Sequence, residues 1–544
     1  MKDFFKQRVW RGIVRRLNNR KVARMARLVT RQSPPAYGQP VVFFKASTGI
    51  DDLSWNSGFH LLASWALRLR GIPVAYFACN AGMSKCVLGT NRDHPHREMP
   101  CQTCVAQSRT LYAGVDAYAR KQVDTDTGTH VNWFDYQLNS QLVSRISQFS
   151  VPELSTFHFE DIPLGALCLP GLRWILRIHH LSDDENTRYL LREYILSAWN
   201  VAQKFSKFLD ATNPRAVVVF NGQFFPEATA RYVAQKRGIR VITHEVGLQP
   251  ASAFFTDGEA TAYPIRIPDE FELNDEQNAK LDAYLAKRFQ GDFTMAGIQF
   301  WADMKGLDES FLQKASQFKQ IVPIFTNVIF DTSQPHANTV FEDMFDWLDI
   351  TLEVIKEHPK TLFVIRAHPD ELRVRKSSRE TVEGWVDSRN VRNEPNVVFV
   401  SPRETLSSYE LIQKSKFVMV YNSTIGLEAS IMGTPVLCAG RARFTQYPTV
   451  FFPQTVDEVR RKMKEFLDAE KIEAPAEFKR NARRFLYYQL FRTSLPFGDF
   501  LAPSVRTTQT RLKSFELNQL LESEAVKVIL EGVLERGDFL LKDN

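Results

Sequence analysis

The stretch VMVYNSTIGLEASIMGTPVLCAG at residues 418–440 decides the fold class of this chain. An apolar run at residues 417–421 ends in a polar cluster at residues 422–424, and a helix-compatible segment follows as far as Gly433. A second apolar run occupies residues 436–438. Short apolar runs bounded by turn residues are typical of buried strands in a parallel sheet. The stretch therefore predicts an α/β fold, with the polar turn at the carboxyl edge of a parallel sheet.

The polar turn is suited to an anion such as a phosphate or diphosphate. Backbone N–H groups and the positive end of the helix dipole gather at such a turn, and Ser423 and Thr424 add hydroxyl donors. Glu428 follows about one helical turn later, where a carboxylate can accept hydrogen bonds from a ribose diol. Ser and Thr are also preferred helix caps, so an ordinary N-cap is the alternative interpretation of the same residues.

The composition is that of an ordinary folded protein with one strongly basic end. The chain has 544 residues, of which 44% are hydrophobic and 24% charged, enough for two or three domains. Residues 1–31 contain eleven Lys or Arg and one acid, whereas the rest of the chain has 58 basic and 61 acidic residues. No apolar run approaches the roughly 18 residues of a membrane helix, and no signal-peptide core is found, so a cytoplasmic location is expected.

The basic segment at residues 1–31 has the periodicity of an amphipathic helix. Such a helix can lie on an anionic membrane surface, and the sequence therefore predicts a protein held peripherally at the inner face of the cell membrane. A partner-docking helix is the first alternative. An arm that touches nucleic acid is the second, and since no nucleic-acid motif follows, no nucleic-acid partner is expected. The apolar positions are Phe5, Val9, Ile13 and Leu17 at steps of four, with Trp10 and Val14 beside them.

A β-loop-α-β pattern begins the N-terminal half of the chain. Apolar runs at residues 41–44 and 74–78 predict two strands, and residues 59–70 predict the helix between them. The loop after the first strand contains Asp51 and Asp52. Loops at this edge of a parallel sheet line ligand crevices, so either aspartate is a candidate catalytic base. A helix cap or a solvated turn is the alternative.

Four of the six cysteines fall within 26 residues, directly after the second predicted strand. They form a C-x6-C-x14-C-x2-C pattern, whose closing pair has the spacing at which two thiolates reach one tetrahedral ion. The pattern predicts a structural zinc ion or an iron–sulfur cluster. Reduced buried thiols and a disulfide are the alternatives, and a cytoplasmic setting disfavours the disulfide. The candidate ligands are Cys79, Cys86, Cys101 and Cys104.

A His-Glu pair ends a further predicted strand. The apolar run at residues 239–243 is followed by His244 and Glu245, so both polar groups are expected at the carboxyl edge of the N-terminal sheet. An imidazole beside a carboxylate can act as an acid/base or hold a sugar hydroxyl, which makes the pair a catalytic candidate. Alternatively, the two side chains only satisfy the strand end.

Polar side chains also follow predicted strands of the C-terminal half. A polar loop containing Gln334 follows the first of these strands, and the apolar run at residues 362–365 leads into Arg366 and His368. Pro369 disfavours the helical region for the residue before it and so presents the His368 ring at the sheet edge. Arg366 supplies a fixed positive charge suited to phosphate.

These motifs carry a resemblance to known glycosyltransferases. His368-Pro369 resembles the His-Pro motif, and Ser423-Thr424 the serine-containing motif, of bacterial sialyltransferases and capsular Kdo transferases. Residues 320–460 are similar to capsule-polysaccharide biosynthesis proteins of the GT-B type. The resemblance implies an α/β, GT-B-like fold with two Rossmann-like domains facing across a cleft, with an N-terminal basic helix and C-terminal helices.

The resemblance also implies where the substrates bind. A nucleotide-sugar donor, with CMP as one candidate nucleotide, would bind the C-terminal half, and His244-Glu245 resembles the element that ends the N-terminal sheet in several GT-B transferases. The Asp/Glu-Asp/Glu-Gly element that supplies the catalytic acid in sialyltransferases has only a partial counterpart, at residues 257–259. The implied donor-binding residues are Gln334, Arg366, His368, Asn422, Ser423, Thr424, Gly426 and Glu428.

The sequence thus predicts a glycosyltransferase of capsule or exopolysaccharide biosynthesis that acts on a surface-polysaccharide or lipid-linked glycan acceptor. No metal or other cofactor is expected at the catalytic site, because the donor-site cation and hydroxyls would stabilise the leaving phosphate. Neither a P-loop nor a G-x-G-x-x-G fingerprint is found, so ATP at a P-loop and a dinucleotide are not expected. The alternatives are a CDP-alditol phosphotransferase of the teichoic-acid type, a 2-epimerase and a non-catalytic glycan-assembly scaffold.

Five segments are expected along the chain. They are a basic amphipathic helix at 1–35, a Rossmann-like acceptor domain at 36–270 with a Cys-rich insertion at 79–110, a helical connection at 271–318, a nucleotide-sugar-binding domain at 319–470 and C-terminal helices at 471–544.

Overall fold

The computed structural model describes residues 2–46, 49–116, 128–290, 294–295, 298–299, 306–373 and 377–543. The chain divides into two compact units. Unit 1 comprises Met1–Ile175, Leu181–Tyr263 and Phe491–Asn544, and unit 2 comprises Leu176–His180 and Pro264–Leu490.

The strands are β1 (Val41–Lys45), β2 (Val74–Cys79), β3 (His130–Phe134), β4 (Ala216–Phe220), β5 (Arg240–Val246), β6 (Ser252–Thr256), β7 (Thr294–Met295), β8 (Ile298–Gln299), β9 (Gln320–Phe325), β10 (Thr361–Arg366), β11 (Val397–Val400), β12 (Val418–Val420), β13 (Val436–Cys438), β14 (Leu495–Pro496), β15 (Leu501–Pro503) and β16 (Thr510–Leu512).

The helices are α1 (Lys2–Gln32), α2 (Trp55–Leu69), α3 (Cys101–Leu111), α4 (Ala113–Asp116), α5 (Ser140–Ile146), α6 (Val151–Ser155), α7 (Leu164–Leu176), α8 (Glu185–Thr212), α9 (Glu227–Lys236), α10 (Asp275–Phe289), α11 (Glu309–Ala315), α12 (Gln334–Ala337), α13 (Met344–Glu357), α14 (Val382–Ser388), α15 (Ser408–Gln413), α16 (Ile425–Met432), α17 (Val456–Asp468), α18 (Ala476–Tyr487), α19 (Leu517–Glu522) and α20 (Glu524–Glu535).

The seven-stranded sheet of unit 1 has the order β14-β6-β5-β4-β1-β2-β3. Strands β1 to β5 pair in parallel, and β6 and β14 extend the sheet as antiparallel strands. Strand β1 is buried along its whole length, as expected for a parallel strand covered on both faces. The order third, second, first, fourth, fifth is that of a Rossmann-like half, and it reverses between β1 and β4.

The five-stranded sheet of unit 2 repeats this order with the strands β11-β10-β9-β12-β13, all of them parallel. Here the strand order reverses between β9 and β12. Ligands of such sheets bind outside the carboxyl ends of the two strands where the order reverses. The predicted α/β fold with two Rossmann-like domains is confirmed, and each unit has one such switch point.

Two element boundaries differ from the sequence prediction for identifiable reasons. Helix α2 begins at Trp55, four residues earlier than predicted, because the Ser54 hydroxyl caps it and accepts the Ser57 N–H at 3.1 Å. Strand β5 extends to Val246 because its last residues pair with the antiparallel strand β6. His244 and Glu245 therefore lie within a strand and not after it.

Helix α1 has two parts with different surroundings. Its second part contributes to the core of unit 1 through Val22, Met25, Ala26 and Val29, which are buried. Its first part leaves an apolar row in solvent, with Val9 48%, Trp10 59%, Ile13 43% and Leu17 57% exposed. Across the described residues, no helix combines the length and the apolar character needed to cross a membrane.

The C-terminal segment at 471–544 divides between the units. Helix α18 belongs to unit 2, whereas the chain from Phe491 onward belongs to unit 1. There β14 pairs with β6, and α20 contributes Val526, Ile529 and Val533 to the core. The predicted helical connection at 271–318 contains α10 and α11, and also the two-residue strands β7 and β8.

Candidate functional site

The switch point of unit 2 joins the loops that follow β9 and β12. Asn327, just after β9, donates from Nδ2 to Asn422 Oδ1, just after β12, at 2.7 Å. Gln334 Nε2 approaches the same oxygen at 3.5 Å. The other amide atom of Gln334, Oε1, is buried and meets no donor among the described residues. Predicted residues from two distant parts of the chain are therefore brought together at the edge where ligands bind in such sheets.

The N-terminus of α16 lies at this edge and has no side-chain cap. Thr424 is the N-cap residue, but its side chain does not accept a hydrogen bond from the helix. The N–H groups of Gly426 and Leu427 instead donate to the backbone oxygens of Ser423 and Thr424, at 3.1 Å each. The alternative interpretation of Ser423 and Thr424 as an ordinary N-cap is therefore not what the structure shows, and both hydroxyls remain candidates for anion contacts.

Gly426 has a packing role at the start of α16. A Cβ atom at this position would lie 2.9 Å from Cγ2 of Val420 in β12, closer than real Cβ contacts. The missing side chain lets the helix approach the strand, as the third glycine of a dinucleotide-binding turn does. Gly426 thus sets where the helix N-terminus sits, and a donor contact through Gly426 itself stays a prediction.

Glu428 lies in a buried ion pair. Its Oε1 accepts from Arg288 Nε at 2.8 Å and Nη2 at 2.6 Å, and its Oε2 accepts from the Tyr409 hydroxyl at 2.5 Å. Glu428 is 3% exposed. Burial, followed by the Glu428 charge, raises the pKa of Tyr409, so this hydroxyl is a proton donor at neutral pH. A ribose diol would have to share carboxylate oxygens that already tie α10 and α15 to α16.

The His-Pro loop after β10 presents a neutral imidazole. His368 has an extended backbone, as predicted from Pro369, and its Nδ1 accepts the Asp370 N–H at 3.1 Å. Burial lowers the pKa of His368, so the ring is neutral at pH 7. Since Nδ1 is an acceptor, the proton of the neutral ring is on Nε2, which can donate to an anion.

Arg366, the last residue of β10, is buried and fixed. Its Nη1 donates to the backbone oxygen of Leu406. Burial lowers the pKa of Arg366 to about 10, and the guanidinium therefore stays charged at neutral pH. Thr326, the first residue after β9, donates from its hydroxyl to the Arg366 carbonyl at 3.0 Å. The carboxyl ends of β9 and β10 are thus held together next to the switch point.

The carboxyl edge of unit 1 is organised around Glu245. Asn56 of α2 donates to Oε1 at 2.8 Å, and Asn221, just after β4, donates to Oε2 at 2.9 Å. Asn221 has a left-handed backbone, with φ 59°, which suits an asparagine in a tight turn. Glu245 is half-buried, so its carboxylate is both oriented and reachable.

His244 points to the other face of β5 and is 0% exposed. Its Nε2 lies 3.1 Å from His60 Nδ1, and its ring stacks on Phe255. Burial lowers the pKa of His244 to about 3 and also lowers that of His60, so both rings are neutral. Alternation along the strand thus buries His244 while exposing its neighbour Glu245, and a catalytic role for His244 stays a prediction.

Asp51 and Asp52 lie against the N-terminal helix. Asp51 forms an ion pair with Arg15 at 2.6 Å, and Asp52 accepts the Leu53 N–H at 2.8 Å. Burial raises the pKa of Asp52. The two predicted aspartates are thus held by groups other than those that orient Glu245, and a catalytic role for either stays a prediction.

Several polar residues of this edge were missed at the sequence level. Lys45 ends β1 and is buried, with its ammonium 5.8 Å from the centre of the Phe220 ring. Gln223 donates to Glu259 at 2.6 Å. Lys45 could have been identified as a residue of this edge, because it directly follows the apolar run at residues 41–44. Asn56 and His60 gave no signal, because their partners are more than 180 residues away.

The four cysteines surround one cavity of about 30 Å³. Among the described residues, no three His, Cys, Asp or Glu side chains are grouped so that they could hold a metal ion. The thiols of Cys79 and Cys86 each accept a backbone N–H at 3.2 Å. Burial raises the pKa of Cys86 to about 12 and also raises that of Cys79. The grouping of the described side chains therefore does not support the predicted zinc or iron–sulfur site at Cys79, Cys86, Cys101 and Cys104.

Comparison with known sequences assigns part of the chain. Residues 294–472 match the family described as capsule polysaccharide biosynthesis protein. The chain is 30% identical to Protein FixF of Sinorhizobium fredii over 228 residues, which cover 41% of this chain and 48% of FixF. The aligned region thus spans about half the length of this relative.

Solved structures resemble the chain only distantly. The β-Kdo 2,4-transferase KpsC of Thermosulfurimonas dismutans is 12% identical, with a TM-score of 0.35, over 57% of this chain and 87% of that chain. The UDP-GlcNAc 2-epimerase of Neisseria meningitidis is 17% identical, with a TM-score of 0.26, over 54% of this chain and 81% of that chain. Likenesses of this size carry no argument about function.

The family match covers the switch point between β9 and β12 with all of its predicted donor residues. Within a chain of two Rossmann-like units, the stretch at residues 294–472 thus matches the family described as capsule polysaccharide biosynthesis protein.

Proposed function

We propose that this protein is a glycosyltransferase of capsule polysaccharide synthesis, with a nucleotide-sugar donor bound by unit 2 and a glycan acceptor bound by unit 1. The observation that carries the proposal is the switch point of unit 2. There the Asn327–Asn422 hydrogen bond joins two loops beside a helix N-terminus without a side-chain cap. The family match at residues 294–472 supports the same region as the functional one.

The ligand of this edge would be the phosphate of the nucleotide sugar. The hydroxyls of Ser423 and Thr424 and His368 Nε2–H would donate to its oxygens, with the positive end of the α16 dipole beside them. Negative charge grows on the phosphate as its bond to the sugar breaks, and fixed donors stabilise that charge more than the charge of the intact donor. These donors serve the leaving group without a metal ion. CMP is our candidate nucleotide.

The catalytic base would be Glu245. The Asn56 side chain and the Val246 N–H donate to Oε1, and Asn221 donates to Oε2, which keeps a lone pair that can accept a proton. In the transfer, the acceptor hydroxyl oxygen bonds to the anomeric carbon, its proton passes to Glu245, and the nucleotide departs with the electron pair of the broken C–O bond. The acceptor would be a surface polysaccharide or a lipid-linked glycan.

A turnover screen tests the proposal. Intact protein is incubated with CMP-, UDP-, GDP- and CDP-linked donors and a lipid-linked oligosaccharide, and the expected result is acceptor-dependent release of one nucleotide. Turnover of a CDP-alditol, with the alditol phosphate transferred, would replace the proposal by an alditol phosphotransferase. Glycan binding with no turnover of any donor would replace it by a non-catalytic scaffold.

The first part of α1 would hold the protein on an anionic membrane, where lipid-linked acceptors are found. The exposed row of Val9, Trp10, Ile13 and Leu17 lies on the helix with the exposed Arg16 and Arg20. Apolar side chains can enter the acyl boundary while each basic residue near the surface adds about 1 kcal/mol.

Vesicle flotation tests this placement. The protein should bind phosphatidylglycerol vesicles at low salt, bind less as salt is raised, and lose binding when Trp10→Ser and Leu17→Ser are combined. The matched control combines Tyr37→Ser and Val505→Ser, two exposed apolar residues elsewhere in unit 1, and should bind as the parent does. If the intact protein does not bind these vesicles at low salt, the result would favour the interpretation of α1 as a partner-docking helix.

A further inference from the structure

Two cavities of unit 1 adjoin at the β3 edge of its sheet. One has a volume of about 390 Å³ and the other about 310 Å³. Each volume is within the range of small-molecule sites. Both are lined by Lys204 and Lys207 of α8, so they are two parts of one groove. The groove is lined by β3 and the segment after it on one side and by α8 on the other.

The lining of this groove is rich in neutral amides. Gln137, Asn139 and Gln203 line its larger part, and Asn132 lines its smaller part. An amide carries both donors and an acceptor, which is the pairing that a sugar hydroxyl offers in return. Lys204 already donates to Gln137 Oε1 at 3.0 Å and so links the two walls. The surface is therefore equipped for a polyhydroxylated ligand.

The charge of the groove is positive although the body of the protein is slightly acidic. Lys204 and Lys207 lie on one face of α8, roughly 4.5 Å apart along the helix axis. Among the described residues, neither ammonium forms an ion pair with a carboxylate. Asp135 is the one described acid that lines the groove, and its Oδ1 accepts from Asn80 Nδ2 at 2.6 Å. Two ammonium groups are thus available to negative groups of a ligand.

We propose that this groove binds a segment of an acidic glycan, namely sugar units that carry carboxylates. The inference rests on the proposed function, because it assigns to the acceptor of that reaction a second, anionic region held away from Glu245. Amides would bind the hydroxyls of successive sugars, and Lys204 and Lys207 would bind their carboxylates. A growing acidic polysaccharide is long enough to occupy such a remote groove while its end is extended.

A peptide strand is the competing occupant, since β3 is at the edge of its sheet. Strand addition relies on pockets that take alternate apolar side chains. The groove offers amides and ammonium groups in those places, with Trp199 and Phe208 almost fully buried beneath. The chemistry of the lining therefore favours a sugar chain.

Calorimetry on the intact protein, without a donor, tests the proposal. The probes are an oligogalacturonate, a neutral maltooligosaccharide and a poly-glutamate, all of equal length. The expected result is that the oligogalacturonate binds more tightly and that salt weakens its binding. Combining Lys204→Gln and Lys207→Gln should weaken it about three- to tenfold, in line with two exposed ion pairs. The matched control combines Lys236→Gln and Lys527→Gln, exposed lysines of unit 1 outside the groove, and should bind as the parent does.

Four outcomes would overturn the inference. They are no binding of the oligogalacturonate, equal binding of the neutral probe, an equal loss in both lysine pairs, and equally tight binding of poly-glutamate through Lys204 and Lys207. The donor is absent from these experiments, so their failure is separate from that of the proposed function. Turnover without binding in the groove would refute only the inference about the groove. Binding in the groove without turnover would refute only the proposed transferase function.

Discussion

The carboxyl edges of the two sheets share one strand order and present opposite chemistry. In unit 2 the edge presents donors, namely the Ser423 and Thr424 hydroxyls, the N-terminus of α16 and the neutral ring of His368. In unit 1 the edge presents an acceptor, the Glu245 carboxylate held by two amides. In our proposal, one topology thus serves an anion in one unit and a base in the other, because the residues that follow the strands differ while the strand order does not.

The largest expected effect concerns the ion pairs that support the two edges. Replacing Arg288 by Ala would leave Glu428 buried without its cation and should lower the free energy of unfolding of unit 2 by about 3–5 kcal/mol. The comparable pair in unit 1 joins Arg231 to Glu259 at 2.5 Å, but the Glu259 side chain is 33% exposed. Arg231→Ala should therefore cost less than about 1 kcal/mol. Urea unfolding followed by hydrogen exchange in each unit measures both, and equal losses would contradict the comparison.

The next effect concerns the base of unit 1. Glu245→Gln keeps an acceptor for one amide and removes the proton-accepting charge, so turnover should fall about a hundredfold or more. Asp51→Asn removes a carboxylate that pairs with Arg15 and should change turnover little. Initial rates with a saturating donor and a soluble acceptor measure this difference. A larger loss of turnover in Asp51→Asn than in Glu245→Gln would indicate that the catalytic base is in the loop after β1.

The two units should also respond to pH in opposite directions. His244 has an ordinary pKa of 6.5 and a buried pKa of about 3, so its contribution to stability is complete above pH 6.5. This contribution of His244 is lost as the pH falls below 6.5, at about 1.4 kcal/mol for each pH unit. In unit 2, hydrogen bonds to Asp343 and Glu380 raise the pKa of His180 to about 10. Its contribution is complete below pH 6.5 and is lost as the pH rises through 10.

Hydrogen exchange at pH 5, 7 and 9.5 separates these two contributions. Unit 1 should lose protection at pH 5, and His244→Gln should flatten that loss. Unit 2 should lose protection at pH 9.5 by a small amount, because the His180 side chain is 55% exposed, and His180→Gln should remove that loss. Parallel pH profiles in the two units would show that neither histidine controls the stability of its unit.

The sequence was informative where a signal is local. Central strands such as β1, β5 and β10 follow from short apolar runs, whereas β3, β6, β11 and β14 were not predicted. The His-Pro loop follows from the restriction that Pro369 places on His368. Partners far apart in the chain were not predictable. The Arg288–Glu428 ion pair joins residues 140 positions apart. The sequence around Glu428 does not indicate that its partner is Arg288.

Burial was the second limit of prediction from sequence. His244 and Glu245 look equivalent in sequence, but the pairing of β6 on β5 places them in a strand, where neighbouring side chains point to opposite faces. The cysteine spacing correctly gathers four thiols around one cavity. It does not reveal that, within the described part of the chain, no three of these or other ligand side chains are grouped so that they could hold a metal ion.

The central claim is that the switch point of unit 2 binds a nucleotide phosphate through hydroxyl and imidazole donors. The direct measurement is calorimetry of CMP, UDP, GDP and CDP binding to the parent, to Ser423→Ala and to His368→Ala. Each variant should bind its nucleotide about tenfold more weakly, as expected for one lost hydrogen bond to a charged group, with an unchanged melting temperature. Ser388→Ala and His158→Ala, which lie outside both edges, should bind as the parent does. Unchanged affinity in both donor-site variants would contradict the account.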